Sequence, residues 1–194
     1  MVNIIIAALV IWASAGYVVS VARGQASPRL ASWAIWTLAM GVAAAGALLT
    51  GQYGSAILAG TGSLTAAVVL LAGWHAGSRD AGLLDKIGLA VGGTGVIFLA
   101  ISLFVPAVPV AISVAVSVAT DLAAFLPTFL NGARGLEPLN PYMKLSAAAA
   151  LGVASAKSGP VAGQIFPLYE LLACGLMCLI VLTRIEARRK LYIT

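Results

Sequence analysis

Asp121 and Glu170 are acids set deep inside long apolar stretches, and a carboxyl group in that setting exists to hold something: a proton, a cation or hydroxyl groups. Asp121 falls about 13 residues and Glu170 about nine residues from the outer ends of their stretches, roughly 20 and 14 Å at about 1.5 Å per residue. One cavity can therefore contain both. A charged side chain at such depth costs at least about 2.5 to 3.5 kcal/mol on insertion scales, so it faces protein or water and takes a partner. Lys144, about one turn inside its own stretch, reaches a depth close to that of Asp121 and is the candidate counter-charge. A structural ion pair and a substrate or proton site are both open on these residues. Tyr169, Tyr142 and Ser146, with Asn140 nearer the surface, are candidate lining groups, and Tyr17 could close the same cavity.

Other chemistries find little support. Cys174 and Cys178 lie one helical turn apart, a poor geometry for a disulfide, and without neighbouring histidines they make no metal site. They read as small packing residues. The single histidine, His75, stands beside Trp74 at a stretch end and reads as an interfacial residue. No nucleophile and base pairing, paired catalytic aspartates or metal spacing is present, and the last apolar stretch lacks the lysine a retinal Schiff base needs. The expectation is therefore a protein that is not an enzyme and uses no cofactor or metal.

Those acids must be positioned by elements suited to lipid. Hydrophobic residues make up 61% of the chain, charged residues 9%, and the mean hydropathy is +1.05, outside the range of a water-soluble domain. A spanning helix needs roughly 20 mainly apolar residues. Seven such stretches are read at 3–22, 30–50, 54–74, 84–105, 108–130, 140–157 and 161–183, with short connections, giving a single all-α integral membrane domain over 1–194. Ala13-Ser14-Ala15 resembles a cleavage site, but no Lys or Arg precedes the first stretch, which is expected to be a retained helix.

Basic residues set the orientation. With seven spans, one side carries Arg23, Arg29, Arg79, Lys86, Arg134, Lys144, Arg184, Arg188, Arg189 and Lys190, and the other carries only Lys157. The N-terminus is expected outside and the C-terminus in the cytoplasm of a cell with this protein in its inner membrane. The net charge of +5 is explained by this asymmetry, with no nucleic-acid partner.

The layout of the first three stretches returns about 107 to 110 positions later. Pro28 opens the second stretch and Pro138 the sixth, in Ser27-Pro28-Arg29-Leu30 and Glu137-Pro138-Leu139-Asn140. Between the repeats, at 3–75 and 108–183, a linker helix at 84–105 carries Gly88, Gly92 and Gly93, suited to close helix contact, and a tail follows at 184–194. An odd linker makes two three-helix bundles run parallel, a plan recurrent in carriers, with the site near the midplane. Pro127 and Pro167 lie within their helices, where each frees a carbonyl, at Ala123 and Gly163; kinks there would serve as hinges or shape the packing. The sixth stretch is short, Ala-rich and interrupted at Pro141. Trp33 and Trp36 share a helix face, as an interfacial belt or as a stacking surface at an inner gate.

In this layout the chain resembles the SWEET and PQ-loop superfamily of three-plus-one-plus-three helices. Where that superfamily carries Pro-Gln in the first helix of a repeat, this chain has Leu126-Pro127-Thr128-Phe129-Leu130-Asn131, with Thr128 in place of Gln. The first repeat has Tyr17-Val18-Val19-Ser20 there, without proline. The chain also resembles a functionally uncharacterised group of bacterial membrane proteins with an Asp-x5-Pro-Thr segment, here Asp121 to Thr128, and a Ser-Trp-x-x-Trp helix start, here Ser32 to Trp36. Bacterial nicotinamide riboside carriers share the plan. The resemblance implies alternating access, a small polar solute as partner besides the lipid bilayer, and gate or hinge roles for Pro127, Thr128, Asn131, Pro167, Trp33, Trp36 and Tyr17. A non-transporting membrane subunit reusing the fold is the alternative, and association with itself or with a partner subunit is left open.

Overall fold

The computed structural model describes residues 1–26, 28–74, 82–105, 109–156 and 161–191. His75, Arg79 and Lys157 lie outside the described residues. Seven helices form: α1 (Val2–Ala22), α2 (Leu30–Leu49), α3 (Tyr53–Ala72), α4 (Leu83–Phe104), α5 (Val110–Arg134), α6 (Leu139–Ala156) and α7 (Val161–Leu191). No strand occurs among the described residues. In an apolar solvent a helix is the open-ended element that satisfies its own backbone, and serine and threonine follow the same rule. Ser20, Thr37, Ser117 and Thr120 each donate to the carbonyl four residues earlier, at 2.7 to 3.0 Å.

Turns end three of the helices in one way. Gly24, Gly51 and Gly135 adopt φ values of 67°, 72° and 77°, which a side chain resists. The following amides, of Gln25, Gln52 and Leu136, bond back to Ser20, Ala47 and Asn131 at 2.8, 2.8 and 3.0 Å, closing α1, α2 and α5. The start of α4 is closed by a carboxylate, since Asp85 Oδ2 accepts the Gly82 amide at 2.8 Å.

Six of the helices are long and apolar enough to cross a membrane. The sixth stretch was expected to be a seventh span, but α6 is not among these. It has 18 residues, about 27 Å of helix, and carries Asn140, Lys144 and Ser146 among small alanines. Two boundaries also differ from expectation. Pro141 does not interrupt α6 but lies in its first turn, where its missing N–H leaves no bond unmade, and α7 continues through the expected tail to Leu191. Both α5 and α7 run on through Pro127 and Pro167.

Large apolar side chains face outward, including Ile4, Trp12, Leu64, Leu71, Leu172 and Leu179, while small residues dominate the inside. That distribution suits lipid outside and close helix contact within. Helix α3 packs between α1 and α2, and α7 packs between α5 and α6, while α1 also meets α2 through the rings of Tyr17 and Trp33. The broader of the remaining seams are α1 with α6, α2 with α5, and α4 against α5 and α2; narrower ones join α3 to α6 and α7, and α2 to α7. At one end of the molecule Asn3, Gly54 and Ser155 meet, from the starts of α1 and α3 and the end of α6. At the opposite end Arg29 joins Asp85, and Arg184 donates to the carbonyl of Ala133.

Candidate functional site

Between α1, α2, α3, α6 and α7 lies a cavity of about 40 Å³, room for a few waters. Its walls include Tyr17, Trp33, Tyr142, Leu145, Phe166 and Glu170. Glu170 is 4% exposed; its Oε1 accepts the thiol of Cys174 at 3.3 Å, one helical turn on, and its Oε2 has no hydrogen-bond partner. Cys174 thus does more than pack, a role that its one-turn spacing to Glu170 could have suggested.

Asp121 is fully buried on α5 and accepts the Tyr169 hydroxyl at 2.6 Å. Its second oxygen is unpartnered. Asp121 and Glu170 are close enough to act on each other electrostatically, and Tyr169 is within reach of both. Asp121, Glu170 and Tyr169 therefore lie near one another, but of the three only Glu170 reaches the cavity wall; the single cavity expected to hold both acids does not include Asp121 or Tyr169. Lys144 does not join it. Its amine lies 3.8 Å from the centroid of the Trp12 ring and beside Gly16, and it pairs with no acid among the described residues. Tyr142 faces the core; two residues on, about 200° round the helix, Lys144 is carried to the α1 side.

The remaining candidates divide. Tyr17, Trp33 and Tyr142 line the cavity as expected, whereas Asn140 is exposed and Ser146, part-buried with an unpartnered hydroxyl, lies off the wall. Trp33 and Trp36 turn inward rather than to a lipid interface: Trp36 is buried, and the two rings meet edge to face at 4.8 Å. The rings continue from Tyr17 through Trp33, Trp36 and Phe125 to Tyr169, with centroids 4.8 to 6.4 Å apart. Pro167 abuts Gly152, where an added Cβ would stand 3.2 Å from the proline ring, and Thr128 and Asn131 are buried below Asp121 on α5.

Glu137 was read only as the residue before Pro138, yet it is 7% exposed and accepts the Tyr142 hydroxyl at 2.9 Å. Asn131 approaches the same carboxyl, and the Tyr17 hydroxyl lies beside it without completing a hydrogen bond. Burial lifts this carboxyl to about 7 against the pull of these neighbours. Residues from α1, α5, α6 and the α5–α6 turn thus meet on one acid. The buried pair of Arg29 Nη2 and Asp85 Oδ2, 2.6 Å apart, ties α2 to α4 at the same end.

Among the described residues no group of three or more His, Cys, Asp or Glu side chains could hold a metal ion. Comparisons with protein-family models, with curated proteins and with solved structures found no match.

Proposed function

We propose that this chain is a small-solute transporter built from two parallel three-helix bundles, α1–α3 and α5–α7, joined by α4, with alternating access at the seams between them. One observation carries the reading: a cavity on the α1–α6 seam lined by the buried Glu170, one of whose carboxyl oxygens has no hydrogen-bond partner. Such a group inside a membrane domain marks a pathway by default. The packing order supports it, since the third helix of each set lies between the other two, and the seams α1 to α6 and α2 to α5 exchange under the repeat. All seven helices cross the bilayer in this proposal, α6 being sheltered by α1, α3 and α7. Arg23, Arg29, Lys86, Arg134 and Arg184 mark the cytoplasmic end of an inner-membrane protein with its N-terminus outside, and Tyr17, Tyr142 and Glu137 close the cavity from that end. The likeness to the SWEET and PQ-loop plan belongs to the same proposal, with a sugar, a riboside or another small polar metabolite as the solute.

A second reading, a non-transporting membrane subunit, draws on the size of the cavity, which is that of a few waters and walled largely by apolar groups. Uptake into vesicles of labelled sugars, nucleosides, vitamins and amines decides between them. Saturable uptake that Glu170→Gln or Asp121→Asn abolishes supports the transporter; no uptake of any compound favours the subunit.

A further inference from the structure

We infer that the cavity recognises a monovalent organic cation through an aromatic wall and the single carboxyl of Glu170, an inference that rests on the cavity being the solute site. The wall brings together the faces or edges of Tyr17, Trp33, Tyr142 and Phe166, all buried or part-buried. Aromatic rings attract a weakly hydrated cation through their quadrupoles, most strongly where water is excluded. Glu170 supplies one negative group, nine-tenths buried and with Oε2 uncommitted, and none of the residues on the wall is basic. Lys144 of α6 is not on the wall, and its amine is held over the ring of Trp12 on α1.

A sugar is poorly matched by the same wall. Its hydroxyls demand several fixed donors and acceptors, and two of the four hydroxyls on the wall are already engaged. The Tyr142 hydroxyl is given to Glu137, and Thr65 donates to the carbonyl of Gly62 at 3.1 Å. Ser14 and Tyr17 are the remaining hydroxyls on the wall. One charge on an apolar body fits this inventory; a ring of hydroxyls leaves most of its groups unpaired. Because the cavity has room for only a few waters, the cation enters when the α1–α6 seam parts.

The test uses the full chain in lipid nanodiscs and two probes of one shape, choline and its neutral isostere 3,3-dimethylbutan-1-ol, with binding followed by calorimetry and uptake by vesicle flux. Choline is expected to bind at least about tenfold more tightly than the isostere, and Glu170→Gln to erase that preference, with Glu170→Asp keeping part of it. Equal binding of the two probes by the wild type overturns the inference and needs no variant to fold. Saturable uptake of a sugar or riboside that choline does not inhibit also overturns it, while leaving the transport reading intact. Selective choline binding without uptake of choline or of any other solute upholds the cation site and removes the transport reading.

Discussion

The 2.6 Å bond from the Tyr169 hydroxyl joins α7 to α5 at the fully buried Asp121. Tyr169→Phe leaves both oxygens of Asp121 without a partner and is expected to lower stability by about 1 to 3 kcal/mol. Adding Asp121→Asn should return part of that loss, and thermal unfolding of the two single variants and the double variant measures the coupling. Glu137 makes a different prediction. Its carboxyl, lifted by burial, titrates at about 7 in the fold against an ordinary value of 4.5. The folded protein thus keeps a proton that the unfolded chain has released. Its contribution to stability is complete below about 4.5, declines as pH rises, and is lost above about 7. Glu137→Gln should flatten that slope in a pH series of unfolding temperatures, whereas Tyr142→Phe, by removing a bond that favours the charged form, should move its upper end higher by about half a unit to one unit. At this scale the sequence marked the acids well, because a carboxyl in an apolar run is conspicuous. It placed Lys144 on the wrong face because depth along a helix is legible from spacing, while the direction of a side chain depends on which neighbour the helix meets.

Helix contacts here rest on missing side chains. A Cβ on Gly46 of α2 would lie 2.9 Å from Val114 Cγ2 and 3.2 Å from Val110 Cγ1 of α5, and both valines are stiff at χ1. Gly46→Ala should therefore wedge the α2–α5 seam and cost about 1 to 3 kcal/mol, read as a lower unfolding temperature in detergent. Elements themselves were legible: the apolar runs gave every helix, most ends falling within a few residues of the glycines and prolines that cap them. The exceptions have physical causes. Pro141 resembles a break in a string of letters, yet the first turn of a helix has no use for its N–H. Trp33 and Trp36 have the composition of an interfacial belt, and the approach of Phe125 on α5 shows that Trp36 is core, with Trp33 half-buried against it.

For the molecule as a whole, the two seams matter more than the bundles. At the end where α3 begins and α6 ends, a Cβ built on Gly54 would stand 3.4 Å from Ser155 Cβ, close to the span of a disulfide. A chain with Gly54→Cys and Ser155→Cys is expected to form that bond under mild oxidation. If uptake requires this seam to part, it should stop on oxidation and return on reduction; uptake indifferent to the bond would show that the α3–α6 end stays closed throughout the cycle. The repeat was visible in the sequence only as spacing, since the identities of the residues differ between halves. What spacing could not give was the pairing of α1 with α6 and α2 with α5, which depends on contacts between residues more than 60 positions apart, such as Gly16 to Lys144 and Gly46 to Val114.

The edge-to-face contact of Trp33 and Trp36 has an optical consequence. Two indoles 4.8 Å apart and inclined at 87° share their electronic excitation, and one of them forms part of the cavity wall. Their coupled ultraviolet circular dichroism depends on the angle and distance between the rings. Any motion of α2 that turns one ring against the other changes that spectrum, so the protein carries an intrinsic chromophore pair that reports on the cavity wall.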